Sequence, residues 1–322
     1  MSSPSQPVAV TRPDLAATLM EYDLEASRSG FIGMQILPVF DAAKSSGTFK
    51  RIKLEQLLQE RDTRRQPGGG YGQSEYEFEE DSFLTKEHGW KEPVDDNWEE
   101  TYRDYFDAEA VATQRVRDVV LRNQERRSIA LLTDDTVFTG DFATPAGVVW
   151  SNKSSATPIA NVHTALLAVR DACGMRPNYV AMDFEAYLAC LETEEVIERL
   201  KYSGYDDPKK VNETALAALF KVEKVFVADA QRNAANPAKP RSLASLWPKT
   251  RVNVGYRATD NDLQKPCIGR IFHWDKDGSS IGGTIETYRD EDIRSDVVRC
   301  RQQTHEKRIY KECGHLITGV LA

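Results

Sequence analysis

Residues 64–79 read RRQPGGGYGQSEYEFE. A proline is followed by Gly68, Gly69 and Gly70, then Tyr71 and a fourth glycine, and then by alternating polar and aromatic residues. A glycine run of this kind either cradles a phosphate or turns the chain between strands, and its flanks decide which. A Walker-type loop needs GxxxxGK[ST] so that a lysine reaches the phosphates, and no lysine lies between Lys53 and Lys86. A dinucleotide loop needs a helix opening directly after the glycines. Here Ser74, Glu75, Tyr76, Glu77, Phe78 and Glu79 alternate with the period of a strand, and their carboxylates repel phosphate. The run therefore reads as a turn. Residues 55–66 lean basic through Arg61, Arg64 and Arg65, whereas residues 75–81 are acidic. Folded back at the glycines, the two segments face each other, and opposite charges across paired strands contribute roughly 0.2–1 kcal/mol per pair. The pattern predicts a two-stranded arm over about residues 45–95. Such an arm is marginal alone, so it needs a partner surface. The candidate contact residues are Arg61, Arg64, Arg65, Gly68, Gly69, Gly70, Tyr71, Glu75, Tyr76, Glu77, Phe78 and Glu79.

The chain has 322 residues, room for about two domains of usual size. Its 42 Lys+Arg and 50 Asp+Glu give a formal charge of −8, which argues against tight nonspecific nucleic-acid binding. An apolar content of 40% is enough for a packed core. Cys173, Cys190, Cys267, Cys300 and Cys313 form no CxxC pair and are odd in number, so reduced thiols are expected rather than a disulfide framework or a zinc site. No signal-peptide pattern opens the sequence, and no run of about 18 apolar residues would span a membrane.

Outside the arm, Leu15, Leu19, Tyr22 and Leu24 suggest a short helix, and FIGMQILPVF (31–40) an extended apolar stretch broken by Pro38. Asp107 reads as the N-cap of a helix running to about Leu131, with Ala108, Val111, Ala112, Val116, Val119 and Val120 on its apolar face and Arg115, Arg117, Asp118, Arg122 and Glu125 on its surface. Residues 139–156 read as loop, and Thr157-Pro158 starts a helix that stops at Gly174. The strand NYVAM (178–182), the Asp183-capped helix FEAYLACL continuing through TEEVIERL, the helix NETALAALF and the strand KVFVA (224–228) indicate a mixed α/β unit. Beyond residue 250 the texture is mostly β, ending on HLITGV.

No catalytic constellation emerges. The five histidines are dispersed without HExxH, His163 reads as a helix residue satisfying a local hydrogen bond, and no GxSxG elbow occurs. DKDG (275–278) reads as a hairpin turn rather than a calcium loop, which needs DxDxDG and a glutamate at its twelfth position. No catalytic, cofactor or metal residue is expected.

Five stretches, taken in order, resemble the major capsid proteins of tailed bacteriophages with the Hong Kong ninety-seven-type fold. They are FIGMQILPVFDAAKSSGTF, RRQPGGGYGQSEYEFEEDSFLTKEHGWKEPVDD, DAEAVATQRVRDVVLRNQERRSIALL, RPNYVAMDFEAYLACLETEEVIERLKY and FVADAQRNAANPAKPRSLASLWPKTRVNVGY. The resemblance implies an α+β chain. Its parts are an N-terminal arm (1–44), an extended β-hairpin arm (45–95), a peripheral domain with a long spine helix (96–149), an axial domain (150–260), peripheral strands (261–310) and a terminal axial strand (311–322). It implies a non-catalytic shell protein that assembles as hexamers and pentamers around double-stranded DNA. The partners are a separate scaffolding protein, a portal protein, optionally a decoration protein, and DNA by weak contact; some of Arg115, Arg122, Arg126 and Arg127 could touch phosphates, although a solvated helix face is the plainer reading of them. It places the chain in the virion, assembled in the host bacterial cytoplasm, with no membrane and no cofactor. Some relatives cross-link through an arm lysine. The tip here has none, and only Lys86 lies near the base. An encapsulin-type compartment shell is the nearest rival, and a mixed α/β enzyme with an unrecognised site the more distant one.

Overall fold

The computed structural model describes residues 10–11, 30–73, 77–97, 108–202, 213–236, 239–240, 242–259 and 265–322. The expected helix over 15–24, the Asp107 cap, and Glu75 and Tyr76 lie outside them. In chain order the elements are β1 (Val10–Thr11), α1 (Gly33–Ile36), β2 (Val39–Asp41), β3 (Ser46–Ile52), α2 (Leu54–Leu57), β4 (Phe78–Leu84), β5 (Lys86–Asp95) and α3 (Ala108–Leu132). Then come β6 (Ala143–Pro145), α4 (Pro158–Cys173), β7 (Tyr179–Asp183), α5 (Phe184–Leu191), α6 (Glu194–Tyr202), α7 (Glu213–Phe220) and β8 (Lys224–Ala228). The chain continues through β9 (Gln231–Asn233), β10 (Leu243–Ser245), β11 (Arg251–Gly255), β12 (Gly269–His273), β13 (Thr284–Asp290), β14 (Ser295–Arg308) and β15 (Gly314–Thr318).

Two sheets organise the molecule. In the first, the 14-residue β14 pairs with β5 along one edge and with β13 and then β12 along the other; Thr304 faces both Lys86 and His273. β1 adds to β13, and β2 adds to β12 in parallel. In the second sheet the order is β6-β15-β11-β7-β8. Its inner strands β15, β11 and β7 are buried on both faces, so successive residues enter different cores. Val180 and Met182 join the cluster under α4, while Tyr179 and Ala181 join a cluster with Ile36, Leu132 and Trp247. Burial on both faces explains why these strands read as continuous apolar runs.

The long helix α3, about 37 Å from end to end, joins the two sheets. Its Ala112, Val116 and Val120 pack with Val94, Ile285 and Val298 of the first sheet, and Ile129 and Leu132 enter the core beneath the second. Its last carbonyls are held from both. Arg308 of β14 donates to Leu131 O (2.5 Å), Asn253 of β11 to Leu132 O (2.8 Å), and Arg251 of β11 to Thr133 O (2.6 Å). Asn253 also accepts from the buried Tyr179 hydroxyl at 2.6 Å. Two of these donors are cationic, which suits the negative end of a helix dipole.

Several local expectations change. FIGMQILPVF is not one extended stretch: α1 forms before Pro38 and β2 after it. Arg117 and Glu125, expected on the surface of α3, are buried, while Val111 is exposed. The Arg117 Nε–H donates to Gly282 O at 2.7 Å. Glu125 accepts from Ile32 N and twice from Gly33 N at 2.9–3.0 Å, so it ties α1 to the long helix. A Cβ at Gly33 would lie 2.6 Å from that carboxylate, which is why glycine is needed there. The loop 139–156 contains β6, which pairs with β15. Thr157 makes no side-chain cap; Glu195 of α6 accepts from Ile159 N at 2.9 Å instead. Gly174 does end α4, in the left-handed region at φ +70. TEEVIERL does not continue α5, because Thr193 Oγ1 donates to Cys190 O at 2.7 Å where α6 starts afresh. DKDG is a turn but not a hairpin, since β12 and β13 pair with β14 and not with each other. The His163 Nε2 is buried with no hydrogen-bond partner among the described residues.

Two predictions follow from α3. Asn253→Ala leaves both the Tyr179 hydroxyl and the Leu132 carbonyl buried and unsatisfied, so chemical denaturation should show a loss of about 3 kcal/mol. Burial pushes the Glu125 carboxyl up to about 7, against the opposing Ile32 and Gly33 hydrogen bonds. An unfolded glutamate titrates near ~4.3, so the native state holds a proton that the unfolded chain releases. The stabilising contribution is complete below ~4.3 and is lost as pH rises through about 7. The melting temperature should therefore rise from about pH 8 to about pH 6 more in the wild type than in Glu125→Gln; identical slopes would show that this carboxyl does not titrate there.

Candidate inter-subunit arm

β3 and β4 form a two-stranded antiparallel ribbon from Ser46↔Leu84 to Ile52↔Phe78. Strict alternation along β4 turns Glu79, Asp81 and Phe83 partly inward and leaves Phe78, Glu80, Ser82 and Leu84 exposed. The inward residues fix the root of the arm. Phe83 stacks on Phe272 of β12 at 4.5 Å between centroids and 6° between planes. Phe49 stacks on the same ring at 5.7 Å, and Phe40 meets it edge-on at 5.7 Å. Aromatic pairs of this kind contribute about 0.5–1.5 kcal/mol each beyond the area they bury. Lys307 of β14 donates to the Asp81 carboxylate and to Ser82 O. Burial works against the ionised form of Asp81, but Lys307 and the Ser82 N–H hold its carboxyl below the usual range. Thr85 closes the base, its N–H and hydroxyl both donating to Ser45 O at 2.8 Å.

The paired ribbon is shorter than the expected 45–95 arm. β5 leaves it and pairs with β14 along its whole length. No ladder continues beyond Ile52; α2 follows, and residues 59–73 are exposed and without strand. Among the described residues, Glu77 and Glu79 take partners on β3 and just after it rather than Arg64 or Arg65. Glu79 meets Arg51 at 2.7 Å and Glu77 meets Lys53 at 2.7 Å; the Lys53 hydrogen bond holds the Glu77 carboxyl below its ordinary value. The alternation of Phe49, Arg51 and Lys53 in FKRIK carried the signal for these partners, because register places them across from residues 77–81.

The arginines instead shape the tip. The Arg65 Nε–H donates to Gly69 O at 2.7 Å and its guanidinium lies 4.8 Å from the Tyr71 ring centroid. Gly69 N donates to Gln66 O at 3.0 Å, and Gly68 adopts φ +82, a turn that glycine accommodates without strain. Arg64 N donates to Asp62 at 2.9 Å. Arg61 and Gly70 are exposed along the same tip, Tyr71 is 76% exposed, and Phe78 is 54% exposed with Lys50 5.9 Å from its ring centroid. Leu58 reaches back to the end of α4, where a Cβ on Gly174 would lie 2.7 Å from its Cδ1. The arm is thus anchored at its root and presents rings, cations and open backbone at its tip. Among the described residues no cluster of His, Cys, Asp or Glu could hold a metal ion, and no helix is long and apolar enough to cross a membrane. All five cysteines are buried and none forms a disulfide.

No family model matches the chain. It is 22% identical over 209 residues to the major capsid protein of Burkholderia phage BcepMu, spanning 62% of this chain and 64% of that relative, a little under two thirds of its length. Among solved structures it is similar to a phage-related protein of Bordetella bronchiseptica RB50, with a TM-score of 0.68 and 21% identity over 97% of this chain and 98% of that one. It is also similar to the SrpI encapsulin of Synechococcus elongatus, with a TM-score of 0.51 and 8% identity over 89% and 86% of the two chains. The chain has the mixed α/β fold of the Hong Kong ninety-seven-type capsid and encapsulin shell proteins.

Proposed function

We propose that this chain is the major capsid protein of a tailed bacteriophage, closing as hexamers and pentamers into an icosahedral head around double-stranded DNA. The observation that carries this reading is the arm, stacked on its own subunit at Phe272 and unsupported at its Gly68–Tyr71 tip, on a fold shared with shell proteins. The tip lies over a neighbouring subunit, and stability comes from many modest contacts summed by symmetry. In this reading residues 45–84 form the arm, β5 and α3 with β12–β14 the peripheral domain, and β6–β8 with β11 and β15 the axial domain. A separate scaffolding protein and a portal assist assembly in the bacterial cytoplasm, and a decoration protein is an optional addition.

DNA contact is weak by construction. Arg115 is paired with Glu92 (2.9 Å), Arg122 with Asp118 (2.9 Å) and Arg127 with Glu306 (2.8 Å), and of that group Arg115 and Arg126 are exposed. Loose contact suits a genome that is packed and later released. The tip carries no lysine and Lys86 lies within β5, so the shell is held without lysine cross-links. The likeness to an encapsulin favours a second reading, a compartment shell around protein cargo.

Electron microscopy of the protein expressed with its neighbouring genes should show closed shells tens of nanometres across; a small discrete oligomer would overturn both shell readings, and protein cargo in place of DNA would select the second. Replacing Glu77 and Glu79 by lysine should leave the melting transition nearly unchanged while lowering the yield of shells. Normal yield from that variant would separate the arm's charge pairing from assembly.

A further inference from the structure

Within the mixed α/β unit, α4 carries an uncovered strip. His163, Leu166, Leu167 and Arg170 recur at helical spacing on one face, and Leu167 is 50% exposed. With Arg176, Pro177 and Lys221 they enclose a groove of about 310 Å³ whose floor is apolar. The rim is cationic and no carboxylate lines it. Arg176 and Lys221 are fixed together, since Arg176 Nη2 donates to Lys221 O at 2.9 Å and Lys221 sits in the left-handed region at φ +60. Arg170 pairs with Asp171 beside it, but both side chains are more than half exposed and the pair is screened by water.

The same unit carries a surface of opposite character. On α6, Glu194, Ile197 and Glu198 share one face at i, i+3 and i+4, all exposed, with Ile197 at 38%. This apolar knob flanked by two carboxylates complements an apolar floor flanked by three cations. The two cannot meet within one molecule. Glu195 fixes α6 to Ile159 in the first turn of α4, and Arg170 lies about 16 Å further along that helix.

We propose that the groove on α4 receives the Glu194–Glu198 face of α6 from a second copy of this chain, with Ile197 against Leu166 and Leu167 and the two carboxylates toward Arg170, Arg176 and Lys221. Each copy then offers one groove and one knob. A contact between two different patches is heterologous, and repeated by rotation it closes a ring. The inference rests on the shell reading and specifies which faces meet around such a ring.

A charge swap tests it. Arg170→Glu with Arg176→Glu, and separately Glu194→Arg with Glu198→Arg, should each lower the assembled fraction by about tenfold or more in sedimentation, with circular dichroism reporting a folded chain. Mixing the two variants should recover association into even-membered rings in which they alternate, because each supplies the face complementary to the other; a five-membered ring cannot alternate and is not expected to recover. Wild-type assembly by either variant, or no recovery on mixing folded variants, would overturn the contact. Leu167→Cys with Ile197→Cys gives an independent readout, an intermolecular disulfide between residues 167 and 197 identified by peptide mapping. That bond in a protein that forms rings but no shells would uphold the contact while ending the shell reading. Shells without that bond would end the contact and leave the shell reading intact.

Discussion

The C-terminal end of the long helix is the constraint on which the rest depends. Helix ends leave carbonyls without partners, and here Leu131, Leu132 and Thr133 are answered by Arg308 from one sheet and by Asn253 and Arg251 from the other. Three hydrogen bonds therefore tie together two sheets that share no strand, beside the core in which Ile271 of the first meets Tyr179 and Leu316 of the second. Asn253 has the most exacting position, since it donates to the helix and accepts from Tyr179 in a site without water access. An apolar residue at this strand position would pack well but would leave two polar groups stranded.

Periodicity made the main elements legible. The extended helix after residue 107 and the strand–helix alternation from 178 to 228 appear close to where the sequence places them, and the alternation read over 74–79 leads into β4, which runs on to Leu84. What it hid was governed by distant partners. Glu125 and Arg117 look like surface residues on a helical wheel, and the chain returning as Ile32–Gly33 and Gly282 gives their buried polar groups partners. The ribbon's charges at Glu77 and Glu79 are matched by residues the glycine run did not point to. Sequence proximity to the glycines suggested Arg61, Arg64 and Arg65, whereas strand register, measured back from the turn, selects Arg51 and Lys53. A tip of irregular backbone broke the symmetry on which that pairing relied. Phe272 as the seat of the arm could not be read locally, since it lies about two hundred residues from Phe49 and Phe83.

The division between a fixed root and an open tip gives the arm two chemistries. At the root, rings stack and a lysine is held between a carboxylate and a carbonyl, so the ribbon leaves the body in a defined direction. At the tip, order comes from short-range bonds such as Arg65 to Gly69, which hold the turn's own shape without binding it to the body. Direction is set by the subunit, and the destination of the tip is left to whatever surface it meets.

The position of β15 has a consequence for how the molecule comes into being. This strand, Gly314–Thr318, lies between β6 and β11 in the middle of its sheet. Until residue 318 has been synthesised, β11 has one bare edge and β6 has no neighbour. The core on either side also lacks Leu316 and Ile317. Contacts that distant in sequence form late and slowly. The nascent chain therefore keeps the gap between β6 and β11 open until this strand arrives, and the second sheet is complete only once it has slotted in.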